Sequence, residues 1–252
     1  MIPKDRPQAR HPHIAPRFVI ARGLGRAEGR CARLLALTLA IIIMGTHFGP
    51  PSPCPLMNPR ARILVVAATA RELAAADGWR TLCCGVGPVE AAAATAAAIA
   101  TDRPSMILHV GIAGARPESG LEPPSIVIGQ SARYTDLGVP EKWAPRTVDA
   151  SDMLIAAARR ALPDASVCVI GTSAYVGGTV NADDDVICDV EAMEGFAVLR
   201  AAQLAGIPAI EVRAISNFID EADRMQWKFA EAFAAIAAVT PRLVAEFVTC
   251  VR

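Results

Sequence analysis

The residues best suited to chemistry in this chain are two carboxylates and an amide set among apolar neighbours. Val190-Glu191-Ala192-Met193-Glu194-Gly195 puts a thioether beside a carboxylate where the chain turns into a helix. Glu211-Val212-Arg213-Ala214-Ile215-Ser216-Asn217 is an apolar strand whose end carries Arg, Ser and Asn. A carboxylate can accept both hydrogen bonds of a sugar diol, and an amide can pair with the edge of a heterocyclic base. Together the two segments suit a nucleoside, one as a ribose clamp and the other as a base reader.

Each residue also has a structural reading. Met193 could be core packing, Glu72 a first-turn acid favoured by a helix dipole, and Glu191 a solvated neighbour of Glu194. Arg213 is harder to dismiss, because an Arg inside an apolar strand needs a carboxylate partner such as Glu194. His109, at the end of an apolar strand, reads as a packed or hydrogen-bonded core residue. Gly85-Val86-Gly87 lacks the third glycine of a dinucleotide fingerprint, which disfavours a nicotinamide enzyme. Gly111-Ile112-Ala113-Gly114 alone needs to be no more than a tight turn.

The elements that must hold these groups alternate between strand and helix. Ile63 to Ala68 is a short β-branched run, read as a buried strand, and Thr69 to Leu73 opens a helix. Pro88 suits the first turn of a helix that continues from Ala91 to Ala100, with small residues allowing close approach to a sheet. Further strands are expected at Met106 to Val110, Ser125 to Gly129, Ser166 to Ile170 and Ile207 to Ser216. Helices are expected from Ser151-Asp152 to Leu162, from Glu194 to Leu204, and from Gln226 to Val248; Gly171 to Gly178 is a loop containing Tyr175. This pattern predicts an α/β protein with a mostly parallel or mixed sheet covered on both faces. Ligands of such sheets collect beyond the carboxyl ends of strands. Thr69 to Glu72, Gly111 to Gly114, Tyr175, and Arg213 to Asn217 all fall there.

Composition excludes several functions. Lys+Arg and Asp+Glu balance at 25 each, so no electrostatic case exists for nucleic acid or an acidic membrane as partner. The seven cysteines are scattered without a Cys-x-x-Cys pair, which suits buried thiols in a reducing cytoplasm. Only four histidines are present, three of them before residue 50, so neither a histidine metal site nor a triad is expected. Residues 1–56 differ in kind: Arg, Pro and Gly give way to an apolar run from Leu34 to Met44, then to Pro50, Pro51, Pro53 and Pro55. That run is too short for an ordinary membrane span, although it suits a signal-peptide core. The expectation is a disordered or non-native extension over 1–56, with translation starting at Met57 and a catalytic domain over 57–252. An export or anchor signal is the alternative.

Over residues 62–248 the chain resembles the nucleoside phosphorylase and nucleosidase superfamily. The resemblance rests on a strand followed by Glu72, on Gly85-Val86-Gly87, on Gly111-Ile112-Ala113-Gly114, on Val190 to Glu194, and on Arg213-Ala214-Ile215-Ser216-Asn217, in that family's order. It implies a single-domain α/β/α sandwich with a central mixed, largely parallel sheet. It also implies a homo-oligomer of two or more subunits, and cleavage of an N-glycosidic bond without metal or organic cofactor. Position by position, Glu194 would grip the ribose hydroxyls and Met193 would lie under the sugar. Tyr175 and the Val176 backbone would contact the base, Asn217 would read it, and Glu72 would activate water. Arg213, Ser216, Ala113 and Gly114 complete the implied substrate-binding set.

Two residue types then divide the family's activities. A phosphorylase needs cationic or neutral donors for phosphate, which Glu72 would repel. Water gains from a carboxylate base, by roughly a hundred- to ten-thousand-fold. Asn217 stands where the family's adenine nucleosidases carry Asp. An amide cannot protonate a base near neutral pH, but it can donate to a carbonyl and accept from a protonated ring nitrogen, which suits hypoxanthine. The branch most resembled is the futalosine hydrolases, through the extra residue in Val-Glu-Ala-Met-Glu-Gly, through Asn217, and through Tyr134-Thr135-Asp136-Leu137-Gly138. Trp227 after Asp223-Arg224 agrees with it. Arg133, Arg224 or Lys228 would meet such a substrate's carboxylate, or else are surface charges. Thr69-Ala70-Arg71 departs from the more acidic stretch that many nucleosidases carry there. The rivals are a phosphorolytic enzyme, including one acting on a lipid-borne nucleoside with the 34–44 run near a membrane, a methylthioadenosine/adenosylhomocysteine-type nucleosidase, and a non-catalytic nucleoside-binding protein.

Overall fold

Five apolar residues without helical spacing, Ile63–Ala67, form strand β1, and all five are buried. In the computed structural model the described residues are 62–76, 78–177 and 188–250. The extension read over 1–56 and the Met57 start lie outside them, as do Cys31, Cys54 and Gly178.

β1 pairs in parallel with β2 (Arg80–Cys83) and β3 (Met106–Ala115), and β3 pairs in parallel with β8 (Ala209–Phe218). β8 runs antiparallel to β4 (Ile126–Tyr134), and β4 lies parallel to β6 (Ser166–Thr172). β6 is parallel to β7 (Val190–Ala192), which returns antiparallel to β3. β3, β7, β6, β4 and β8 therefore pair in a closed ring, and β5 (Thr147–Asp149) adds to β4. The sheet is mixed and largely parallel, as expected. Ring closure leaves β3 and β8, the strands that carry Gly111 to Gly114 and Arg213 to Asn217, with ladder partners on both sides.

Among the described residues four helices cover this sheet: α1 (Pro88–Thr101), α2 (Asp152–Ala161), α3 (Gly195–Leu204) and α4 (Phe229–Val248). They associate as α1 with α3 and α2 with α4; α4 also packs on β1, β3 and β8, and α3 on β4, β5, β6 and β8. The alanines of α1 serve its approach to α3 rather than to the sheet, for only Ala91 and Thr95 of α1 are buried. Burying a Leu, Ile or Val side chain is worth about 1.5–3 kcal/mol, and Leu154, Ile236, Leu243 and Val244 are buried on the facing sides of α2 and α4.

Three sequence expectations are corrected. Thr69 to Leu73 is a run of turns closed by i to i−3 bonds, Glu72 N to Thr69 O at 3.3 Å and Leu73 N to Ala70 O at 3.2 Å, and no helix opens there. The Glu72 side chain reaches back to Thr69 with one oxygen and across to Ile112 of β3 with the other. Gly111 to Gly114 is no turn, since β3 continues through it to Ala115. Lastly, α4 begins at Phe229, after a separate 3-10 turn over Arg224–Gln226.

Candidate active site

A cavity of about 280 Å³ lies at the carboxyl ends of β1, β3 and β8. Glu72 lines it from the turn after β1, and is buried. Its Oε2 accepts from the Thr69 backbone N–H and from Thr69 Oγ1, each at 2.8 Å, while its Oε1 accepts from Ile112 N at 3.2 Å. These three hydrogen bonds come from neutral donors, and the Arg213 guanidinium acts on the carboxylate through space. The dipole reading therefore fails, as no helix starts there.

Glu194 is treated differently. It is the N-cap residue of α3, yet its side chain does not cap that helix. Thr172 Oγ1 accepts the Phe196 N–H at 2.8 Å, leaving the Glu194 carboxylate to face the cavity. Gly87 N donates to its Oε1 and Arg213 Nη2 to its Oε2, both at 3.2 Å. The partner inferred for Arg213 is thus present, but a closer one is Glu211, whose Oε1 takes Arg213 Nε at 2.7 Å. Sequence reasoning missed Glu211; its spacing two residues from Arg213 on a strand, which puts both on one face, is the signal that could have found it.

Arg213 is almost wholly enclosed, and Nη1 also reaches Ile112 O at 3.4 Å. Burial opposes its charge, but the Glu211, Glu194 and Glu72 carboxylates outweigh burial and hold it cationic. Burial raises the pKa of Glu211 above the ordinary carboxylate range, although Arg213 pulls against it, and among the described residues Glu211 Oε2 has no hydrogen-bond partner. His109 is a core residue as expected, with Nε2 3.2 Å from Arg213 Nη2; burial first, then Arg213, lowers its pKa and keeps it neutral. Two glycines make room for this cluster. A Cβ on Gly111 would collide with Arg213 Nη1, and one on Gly195 with the Glu211 carboxylate. Burial followed by the nearby Glu194 pushes the Cys84 thiol to about 12, so it stays neutral at pH 7.

At the other wall Asn217 and Ser216 close the end of β8. Ser216 Oγ lies 3.1 Å from Ala113 O and donates to Asn217 Oδ1 at 2.7 Å; Asn217 Nδ2 donates to Phe218 O at 2.8 Å. Each terminal atom of the amide keeps one further hydrogen-bonding position. Ala113 and Gly114 line the cavity against it, and Met193 lines it beside Glu194. Tyr175 and Val176 reach the rim, with Tyr175 71% exposed and its ring stacked on none of the described residues. Asp136, to which sequence reading gave no role, anchors this loop. It accepts from the Ala174 N–H and from Ser173 Oγ at 3.2 Å, and Ser173 Oγ in turn accepts from Tyr175 N at 3.0 Å. Glu191 is not solvated: it is buried, lines the cavity, and pairs with Arg116 at 2.9 Å. Arg133, Arg224 and Lys228 do not line the cavity. Among the described residues no three His, Cys, Asp or Glu side chains converge as a metal site, and no helix is long and apolar enough to cross a membrane.

The phosphorylase superfamily profile matches residues 81–249. The chain belongs to the phosphorylase superfamily. Within it, the chain is 32% identical over 189 residues to the futalosine hydrolase of Streptomyces coelicolor, covering 66% of this chain and 79% of that protein. It is 30% identical over 182 residues to the futalosine hydrolase of Thermus thermophilus, covering 64% and 79%. Solved structures of this phosphorylase fold superpose well. The native futalosine hydrolase of Helicobacter pylori gives a TM-score of 0.63 at 16% identity, over 73% of this chain and 97% of that one. The S-adenosylhomocysteine nucleosidase of Streptococcus pyogenes, in complex with 5-methylthiotubericidin, gives 0.64 at 21%, over 73% and 96%.

Proposed function

We propose that this member of the phosphorylase superfamily hydrolyses the N-glycosidic bond of a 6-oxopurine nucleoside, with futalosine as substrate and hypoxanthine as the released base. One observation carries the reading: Glu72 and Glu194 open on the same cavity as the Asn217 amide, and Arg213 bridges the walls that bear the two carboxylates. Glu194 accepts from the ribose hydroxyls above Met193. Asn217, oriented by Ser216, donates to O6 of the base, with Tyr175 and Val176 over its face. Glu72 takes a proton from water as the oxygen closes on C1′ and the C1′–N9 bond breaks. The bonding pair leaves with the base, which spreads its charge onto O6 and takes a proton from solvent to give neutral hypoxanthine; Glu72 returns its proton to solvent, and the sugar keeps the hydroxyl. Phosphate is disfavoured because Arg213 is already committed to Glu211 and Glu194, and Glu72 would repel the dianion.

The same reading assigns the catalytic unit to residues 57–252, with 1–56 as an extension of it. Free Cys83, Cys84, Cys168, Cys188 and Cys250 favour a cytoplasmic setting, although Cys83 is exposed rather than buried as expected. It also assigns homo-oligomerisation to the apolar groove between α1 and α3, where Val89 is 77% and Leu204 72% exposed. The groove begins at Pro88, one residue beyond the Gly87 that holds Glu194, so a second copy would sit beside the site. The deciding experiment incubates the chain with futalosine, inosine and methylthioadenosine, with and without phosphate, and identifies the released base by chromatography. Hypoxanthine from futalosine in phosphate-free buffer is expected. Strict dependence on phosphate, or binding without release, would overturn hydrolysis.

A further inference from the structure

Of the three carboxylates around Arg213, Glu72 and Glu194 line the cavity and Glu211 does not. Glu211 is fully buried behind the guanidinium, and a carboxylate is costly to bury. Among the described residues its hydrogen bond comes from Arg213 Nε, at 2.7 Å, while its Oε2 has none. Whatever it does for the reaction therefore passes through Arg213. The other donors of Arg213 are aimed by this contact. Nη2 reaches Glu194 Oε2 and the His109 ring, each at 3.2 Å, and Nη1 reaches Ile112 O at 3.4 Å. The edge formed by Nε and Nη2, which can grip one carboxylate side-on, is thus divided between two. The division matters to Glu194, because an ionised carboxylate accepts about four hydrogen bonds. Gly87 N fills one position at Oε1 and Arg213 one at Oε2, so each oxygen keeps one for a sugar hydroxyl.

We propose that Glu211 is a positioning residue: by occupying Nε of Arg213 it limits that guanidinium to a single bond with Glu194 and keeps the Glu194 carboxylate open to the ribose diol. This deepens the hydrolase reading and rests on its ribose clamp. Without an acceptor at 211, the side-on fork of Arg213 turns to Glu194 and forms a bidentate pair. One acceptor position then remains where the diol needs two. Glu211 and Arg213 lie two residues apart on β8 and share a face, so the strand presets their contact. Gly195 links the two carboxylates sterically. It follows Glu194 directly, and a Cβ there would collide with the Glu211 carboxylate, so the turn that bears the clamp also leaves the room that Glu211 needs.

The test compares kcat/KM for inosine with that for 2′,3′-dideoxyinosine, which keeps the base and lacks the diol, in wild type, Glu211→Met and Glu211→Gln. Met fills a similar volume and Arg213 keeps Glu194, so no unpaired charge is buried, and melting temperatures check folding. In Glu211→Met the preference for inosine should fall about tenfold or more, the worth of one hydrogen bond to a charged group. The Kd of hypoxanthine by calorimetry should stay within about twofold. Glu211→Gln keeps an oxygen for Nε without the charge and should lose less, about threefold. An unmoved preference in Glu211→Met would overturn the proposal, as would an equal loss on both nucleosides or a loss of hypoxanthine binding. So would a Glu211→Gln variant no better than Glu211→Met or, where Glu211→Met does not fold, full preference in Glu211→Gln. Absence of hypoxanthine release from futalosine and inosine by wild type would instead sink the hydrolase reading. The same preference is then read from the Kd of the two nucleosides, so the two failures are separable.

Discussion

At the floor of the cavity Glu194 and Arg213, with Glu211 and His109 behind them, are buried and hold one another, whereas at its mouth Tyr175 is 71% exposed and Trp227, Phe229 and Phe233 are partly so. The floor orients charge at fixed positions in surroundings where little can reorganise, as transition-state stabilisation requires. The mouth presents rings that can adapt around a ligand. Reaction and recognition are thus assigned to different physics: electrostatics held by strands at one end, apolar contact from loops and a helix at the other. Substitutions at the floor should lower kcat or stability, and those at the mouth should raise KM.

The sharpest way to break this division is Glu72→Gln, which keeps the shape but removes the base. Turnover should fall by about a hundred- to ten-thousand-fold, while calorimetry finds hypoxanthine binding preserved. Turnover close to wild type would take Glu72 out of the mechanism. Next in size is Arg213→Met, which leaves Glu211 and Glu194 without their shared cation. Urea unfolding should register a loss of about 3–5 kcal/mol; a cost below about 1 kcal/mol would mean the floor is not held by charge.

Asn217→Asp sharpens the comparison, because it alters base choice without touching the carboxylates. The ratio of kcat/KM for inosine over adenosine should drop about tenfold or more, and an unmoved ratio would end the base-reading argument. The smallest effect concerns pH. His109 has a lowered pKa in the folded chain, so unfolded protein takes up a proton as pH falls below the ordinary value of 6.5 while folded protein does not. Its contribution is therefore present above that pH and lost below it, at up to about 1.4 kcal/mol per pH unit. Glu211, whose pKa is raised, works in the opposite sense, with its contribution present at low pH and lost as pH rises through its folded pKa. Comparing melting temperatures of wild type and His109→Gln from pH 8 to pH 5 isolates the histidine: wild type should lose more on acidification. Parallel curves would show that His109 is not held neutral.

What could be read from the sequence follows the strength of each local signal. β1 and the first half of β3 are unbroken apolar runs and β8 is largely apolar, so their burial in a sheet was legible, and the candidate site residues lie at their ends. β2, β5 and β7 have three or four residues each, too few for a period to register. Thr69 and Glu72 have the spacing of a capping box, and Glu72 does reach back to the Thr69 N–H, but only turns follow. Glu72's other oxygen is bound by Ile112, a partner forty residues away that local pattern cannot reveal. The same holds for Arg116 with Glu191 and for Asp136 with the Tyr175 loop.

Pairing between β3 and β8 slips after Ala113 opposite Ile215, so that Gly114 meets Asn217 and Ser216 is the extra residue. Such a bulge turns every later side chain to the opposite face from the one an unbroken strand would give it. Glu211 and Arg213 precede the slip and Asn217 follows it. One strand therefore carries two segments of different register, and deleting Ser216 would rotate Asn217, the proposed base reader, away while leaving Glu211 and Arg213 in register. On the proposed reading, base choice can therefore be altered at the end of this strand without disturbing the ion pair that Glu211 and Arg213 form before the slip.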